Sequence, residues 1–366
     1  MSNGSGQRPV PGGLEQYWNG PVRDFATVDI PAMKPGQQER HRMYSLCLMA
    51  LMSHYWNGNK YGETGDYGVW RTAQQAGTLS AGGAFYGGGT YLGHNIAAIA
   101  VDGLGRVIDY EFNHNSVFDS SVEHAESRLV RRLFALNQVW DDWQTNGPAR
   151  IEDDSVRRRV PPRFARHSDR PDVRGLESAV GPDGAEGATV VTKGYATLLA
   201  DVTIYTSLES CAQCSGIMTL ASVANIVYLH WDQGEFLIGN MMYNATHSSP
   251  AGFTAPLPIP GSAFGLEQFD QLNAGTDDFN KRVTTQPFYV SDNFTSKSPG
   301  VTSYLCTDGA MSIYAKAADE FKTFQLQDPT WAPQPGALTN AAALTNASAF
   351  LTYAMSVGSR GTPHRV

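Results

Sequence analysis

Cysteine is scarce in this chain, four in 366 residues, which excludes a disulfide-stapled scaffold and leaves thiol chemistry to individual residues. Positive charge is also short. Twenty-seven Lys and Arg against 35 Asp and Glu give a net charge of −8, so the global balance attracts no polyanion and nucleic-acid binding would need a local basic patch. No apolar run reaches the length of a membrane span, and Met1 to Val10 (MSNGSGQRPV) has none of the features of a signal peptide. The expectation is a cytoplasmic protein with no membrane partner. Hydrophobic residues make up 42% of the chain, enough to bury a sizeable core in one elaborated domain.

Against so few cysteines, two short pieces stand out: His124-Ala125-Glu126 and Ser210-Cys211-Ala212-Gln213-Cys214. Two thiolates and one imidazole (Cys211, Cys214, His124) fill three positions of a zinc tetrahedron and leave the fourth for water, as a catalytic site requires and a closed structural site does not. Glu126, two residues beyond the histidine, points elsewhere on a helix and suits proton transfer. That set fits hydrolytic removal of an exocyclic amine from a nucleobase. Taken singly, an HxE is an ordinary solvated helix turn and a CxxC is a redox pair or half of a structural zinc site; together they argue for catalytic zinc. A run from Val122 to Trp140 sets Ala125, Leu129, Leu133, Leu136 and Trp140 on one helical stripe, with Arg128, Arg131 and Arg132 between, which places His124 in a first helical turn. Leu198 to Thr206 reads as a buried strand, and Ser210 as N-cap of a helix beginning at Cys211, whose orphan N–H groups would lower both thiol pKa values.

Thr206-Ser207-Leu208-Glu209-Ser210-Cys211-Ala212-Gln213-Cys214-Ser215-Gly216-Ile217-Met218 resembles the TxLEPCxxCxGxM segment of the cytidine deaminase-like superfamily, nearest in motif to the tRNA adenosine, guanine and deoxycytidylate deaminases. Asn225 to His230 (NIVYLH) resembles the strand that follows it there. The resemblance implies a substrate-binding asparagine eleven residues before the histidine, which is Asn113, and it matches Asn115 to a ribose-binding position of free-nucleoside deaminases. It also implies a bound Zn²⁺ and a homo-oligomer. Two departures stand out. Ser210 replaces the family's proline, and the histidine and first cysteine lie 87 residues apart, so a segment of roughly 141 to 190 is inserted.

Elsewhere the pattern supplies a helix through Tyr44, Cys47, Leu48, Leu51 and Tyr55, stopped by Trp56-Asn57-Gly58, and a hairpin from Asn95 to Val101, a turn at Asp102 to Gly105, and Arg106 to Phe112. The expected order is α-β-β-α-β-α-β, an α/β three-layer sheet with helices on both faces and large loop insertions. Residues 1 to 36 read as an N-terminal extension, 37 to 325 as the deaminase domain, and 326 to 366 as a tail that is a short helix or an extension. Within the domain, 57 to 91 is a Gly-rich loop lacking any phosphate-loop pattern, and 240 to 300 a loop-rich cover. Cys47 and Cys306 read as reduced thiols.

Substrate class stays open at this level. Arg157, Arg158, Arg159, Arg163, Arg166, Arg170 and Arg174 in the second insertion could grip phosphates of a nucleotide or a strand; such charge runs are also ordinary solvated surface. Phe112, Trp231, Met241, Met242, Tyr243, Phe321 and Phe324 are candidate pocket walls, each equally at home in the core. Three functions are in play. They are a deaminase of a free base, nucleoside or nucleotide, a deaminase of tRNA or single-stranded DNA, and a zinc-binding protein without turnover, against which the intact Glu126 argues.

Overall fold

The computed structural model describes residues 20–55, 94–115, 120–134, 199–235, 237–247, 252–285 and 300–356. Helix α1 (Pro35–His54) begins on a proline whose missing N–H is no loss at the first position, with Lys34 extended before it. It carries apolar residues all round, from Met43 to Met52, and is correspondingly buried all round. Strands β1 (Ala97–Val101) and β2 (Val107–Phe112) form the expected hairpin. Its turn is built by the Asp102 carboxylate, which accepts from the N–H groups of Leu104 (3.0 Å) and Arg106 (2.8 Å), and by Gly105 in the left-handed region at φ 84°.

Helix α2 (residues 125–134) follows, then β3 (Thr203–Thr206), α3 (Ala212–Leu220), β4 (Asn225–Tyr228), α4 (Ile238–His247), β5 (Leu257–Pro260), α5 (Glu267–Thr285), α6 (Asp308–Lys322) and α7 (Asn340–Ser356). The sheet order is β2-β1-β3-β4-β5, with β1 antiparallel to both neighbours and β3, β4 and β5 parallel. This is the mixed, helix-covered α/β sheet that the sequence led us to expect.

Alternation along the strands assigns the two helical layers. Tyr205 turns toward α1, where its hydroxyl meets His41 Nδ1 at 2.9 Å, while the next residue, Thr206, turns the other way and bonds Glu126 on α2. On β2, Tyr110 packs edge-on against Phe350 of α7 at 5.8 Å. Its neighbours Asp109 and Glu111 face α2 instead. Arg132 Nε lies 2.9 Å from Asp109 and 3.1 Å from Glu111, and Arg128 Nε lies 3.3 Å from Glu111, so the arginines of the helical stripe are the clasps that hold α2 on the sheet. Ala125, Leu129 and Leu133 are buried as expected; Leu136, Trp140, both insertions and the arginine run lie outside the described residues.

Two expectations are corrected. The described part of 240 to 300 is not loop-rich, since it holds α4, β5 and the 19-residue α5. The other concerns the tail, read as a short helix or an extension: its described part, 326–356, holds the 17-residue α7 and is an integral part of the fold. Helix α7 packs on α1 through Ala343, Ala347, Phe350 and Ala354, all fully buried. The contact is pinned by Arg40 Nε donating to Asn340 Oδ1 at 2.8 Å, Asn340 Nδ2 donating to Gly36 O at 2.9 Å and Tyr55 Oη donating to Ala354 O at 2.6 Å. Cys47 and Cys306 are buried, and neither is in a disulfide. Among the described residues no helix is long and apolar enough to cross a membrane.

Candidate active site

The two motifs arrive from opposite sides of β3. On one side, β2 ends at Phe112 and Asn113 turns its amide oxygen onto the N–H of Ala125 at 2.7 Å, while the N–H of His114 bonds Glu123 O at 2.9 Å. These two bonds fix the start of α2 against the strand end. His124 is therefore the residue just before the helix, its carbonyl accepting from Arg128 N. On the other side, Glu209 N donates to His230 O at 2.8 Å, tying the loop after β3 to the end of β4.

Cys211, not Ser210, is the N-cap of α3. Its sulfur accepts from Cys214 N at 3.5 Å and the helix begins at Ala212, leaving the buried Ser210 hydroxyl without a partner. The Glu235 carboxylate accepts from Ala212 N at 3.4 Å and so meets another orphan donor of that helix start.

His124 Nδ1 lies 3.3 Å from Cys211 Sγ and 3.5 Å from Cys214 Sγ, and one ligand atom from each of the three residues falls within 4.8 Å of the others. Zinc bonds to sulfur and nitrogen imply tetrahedral edges of about 3.5–3.8 Å. The donor set and its spacing thus fit a zinc ion, and the His-Cys-Cys group can hold one.

Glu126 stands beside this group without belonging to it. Its Oε1 accepts from Thr206 Oγ1 at 2.9 Å, its Oε2 lies 3.4 Å from Cys214 Sγ, and the residue is only 3% exposed. Burial holds its carboxyl above the ordinary carboxylate range. The thiols do not behave alike: hydrogen bonds from Cys214 and His124 lower Cys211, whereas Cys214, holding the shared proton in a buried position, is raised. The hydrogen bond to Cys211 raises His124. Burial pushes Glu209 up to about 7 and also raises Asp232, whose N–H donates to Glu209 Oε2 at 3.1 Å.

The two asparagines differ. Asn113 is buried at the site's edge with its oxygen committed to Ala125. Asn115 closes a turn, Nδ2 donating to Ser120 O at 3.1 Å and its carbonyl accepting from Ser120 N at 3.0 Å, while its buried Oδ1 has no partner among the described residues. Thr206 and Ser127 were not singled out as site residues in the sequence. Ser127 Oγ lies 3.4 Å from Cys214 Sγ and accepts from Gln213 Nε2 at 3.0 Å. Its signal was its place one helical turn from His124.

Among the candidate walls, Phe112 and Phe321 are core, and Phe324 lines a separate cavity of about 460 Å³. Met241, Met242 and Tyr243 are half-buried on α4. Trp231 is 47% exposed, edge-on to Phe269 at 5.4 Å and next in chain to Asp232. Neither that cavity nor a second one of about 740 Å³ is lined by His124, Glu126, Cys211 or Cys214.

No family model and no curated protein sequence matches the chain. Among solved structures, it is similar to one from biochemical and structural studies of A-to-I editing by tRNA:A34 deaminases at the wobble position of transfer RNA, at 16% identity and a TM-score of 0.23, over 45% of this chain and 82% of that one.

Proposed function

We propose that this chain is a zinc-dependent hydrolase that removes the exocyclic amine of a nucleobase carried as a free base, nucleoside or nucleotide. The observation behind the proposal is the convergence of His124 Nδ1 and the two sulfurs at tetrahedral-edge distances with a buried, separately anchored carboxylate, Glu126, against them. His124, Cys211 and Cys214 would hold a zinc ion, which when bound would supply Lewis-acid activation of water near neutral pH. Glu126 then carries protons from the attacking water to the departing amine, so that a carbonyl replaces the amine and ammonia leaves. Thr206 suits this role because its hydroxyl holds Oε1 and leaves Oε2 beside Cys214 Sγ of the candidate metal site. Burial favours the protonated carboxyl, which assists delivery of the proton to the leaving group. Asn113, and less directly Asn115, are the proposed substrate contacts through their amides. A cytoplasmic location and a homo-oligomer go with this reading.

The choice of a small molecule over a strand rests on the net charge of −8. A second reading, deamination of tRNA or single-stranded DNA, is favoured by the motif type and by the arginine run from Arg157 to Arg174. Replacing Arg157, Arg158 and Arg159 with serine separates them. Small-molecule turnover and its shallow salt dependence should be unchanged; loss of oligonucleotide deamination with a reduced salt slope would favour the strand.

A further inference from the structure

Gln213 sits between Cys211 and Cys214 in the first turn of α3, and its side-chain Nε2 donates to Val122 O at 2.9 Å and to Ser127 Oγ at 3.0 Å. Those two acceptors flank His124, one just before it in the chain and the other in the first turn of α2. An amide nitrogen carries two hydrogens, so both are committed to the segment that bears His124 and Glu126. The side chain therefore ties the start of α3 to the start of α2, joining residues 86 positions apart at Ser127.

Ser127 carries this order on to a sulfur. It is 1% exposed, and its Oγ lies 3.4 Å from Cys214 Sγ. A hydroxyl that accepts from Gln213 keeps its own hydrogen to give, and the bond it receives restricts where that hydrogen points. Cys214 has use for it. Its buried sulfur lies 3.5 Å from His124 Nδ1 and 3.4 Å from Glu126 Oε2. As a metal ligand Cys214 is a thiolate, to which an imidazole nitrogen bound to the same metal and an ionised carboxylate give no proton, and the carboxylate repels it. The serine does give one, and a hydrogen bond to an ionised acceptor is stronger than one to a neutral group. Cys211 is served differently, its sulfur accepting from the backbone N–H of Cys214 at 3.5 Å.

We infer that Ser127 and Gln213 are positioning residues of the metal group: the Ser127 hydroxyl donates to the Cys214 thiolate, and Gln213 orients that hydroxyl while clamping α3 to the chain on either side of His124. The inference rests on the metal reading of His124, Cys211 and Cys214 and on no particular substrate. Groups that hydrogen-bond a metal's ligands fix their orientation, and removing one typically costs about 10–100-fold in metal affinity. A clamp that only held the two helices together would leave the charge on the sulfur unaltered, whereas a donor to the thiolate changes it. The two roles therefore leave different spectroscopic signatures.

Titration of the full, metal-free chain with Co²⁺, followed by the thiolate-to-cobalt absorption band and by competition of Co²⁺ and Zn²⁺ against a chelator, tests this. Ser127→Ala should bind both metals about tenfold more weakly. Its band should move to longer wavelength, because a thiolate that has lost a donor gives charge to the metal more easily. Gln213→Met keeps the length of the side chain and has no donor, so it should move affinity and band in the same direction. The double variant should lose less than the two single losses added as free energies, since both act through one hydroxyl. Gln213 is exposed, so its variant carries the test if Ser127→Ala fails to fold. Parental affinity and an unmoved band in both variants would overturn the inference and leave the metal site standing, and weaker binding with an unmoved band would overturn it by reducing the pair to a structural clamp. A parent chain that bound neither metal would overturn the metal reading and the inference with it.

Discussion

Glu126 is the residue on which chemistry and packing meet, because a carboxylate this buried is retained only with partners, and these include the hydroxyl of Thr206 and the sulfur of Cys214. Glu126→Gln preserves shape and the Thr206 bond but cannot carry a proton. Metal content and thermal midpoint should therefore stay near those of the parent while turnover falls about 10²–10⁴-fold, as measured by ammonia release. Asn113 poses a sharper question, since its oxygen already caps α2. Asn113→Asp keeps the acceptor and loses the amide donor; we expect unchanged stability with reduced turnover. Asn113→Ala should in addition lower stability by about 1 kcal/mol in denaturant titration, the ordinary loss of a cap. If Asn113→Asp turned over normally, Asn113 would be a cap and nothing more. The His-Cys-Cys group of His124, Cys211 and Cys214 was legible from the sequence because metal chemistry restricts residue type and spacing. Thr206 was not, because a threonine at a strand end looks the same whether or not a carboxylate lies above it.

Between elements, the contact of α1 with the sheet and with α7 contains two testable features. Phe350 is fully buried against Tyr110, and Phe350→Ala should cost about 3–5 kcal/mol of unfolding free energy, far more than a loose tail would. His41 is buried beside Arg40 and bonded to Tyr205, and burial first, Arg40 second, lower its pKa to about 4. The unfolded chain binds the proton near pH 6.5 and the folded one only near 4, so this stability is full above pH 6.5 and drains away as pH falls toward 4. Urea midpoints of His41→Gln should then decline less steeply between pH 7 and 4.5 than those of the parent.

The elements that the sequence disclosed, α1, the hairpin, β3, α3 and β4, have strong apolar patterns or a motif. Strand β5 is Leu-Pro-Ile-Pro, two prolines that read as loop, and such a segment is tolerated because it is the sheet's edge. Helix α5 carries its stripe of Phe269, Leu272, Thr276 and Phe279 diluted by Gly275 and many polar residues, while α7 buries alanines, which permit close approach but give little hydrophobic signal.

For the whole molecule, the sheet's purpose in this account is to bring α2 and α3 together from either side of β3 so that three ligands meet. About one zinc per chain is expected by elemental analysis, with Cys211→Ala and Cys214→Ala losing it and His124→Ala retaining far less. Full zinc in Cys211→Ala would refute the assignment. The most direct measurement of the central claim is incubation of the zinc-loaded protein, beside Glu126→Gln, with a panel of free bases, nucleosides, nucleotides and oligonucleotides, reading ammonia and product mass together. The account predicts ammonia and a gain of about one mass unit in at least one small-molecule substrate, with both absent for Glu126→Gln. Equal turnover by parent and variant, or no turnover of any member by a fully loaded, folded protein, would contradict it.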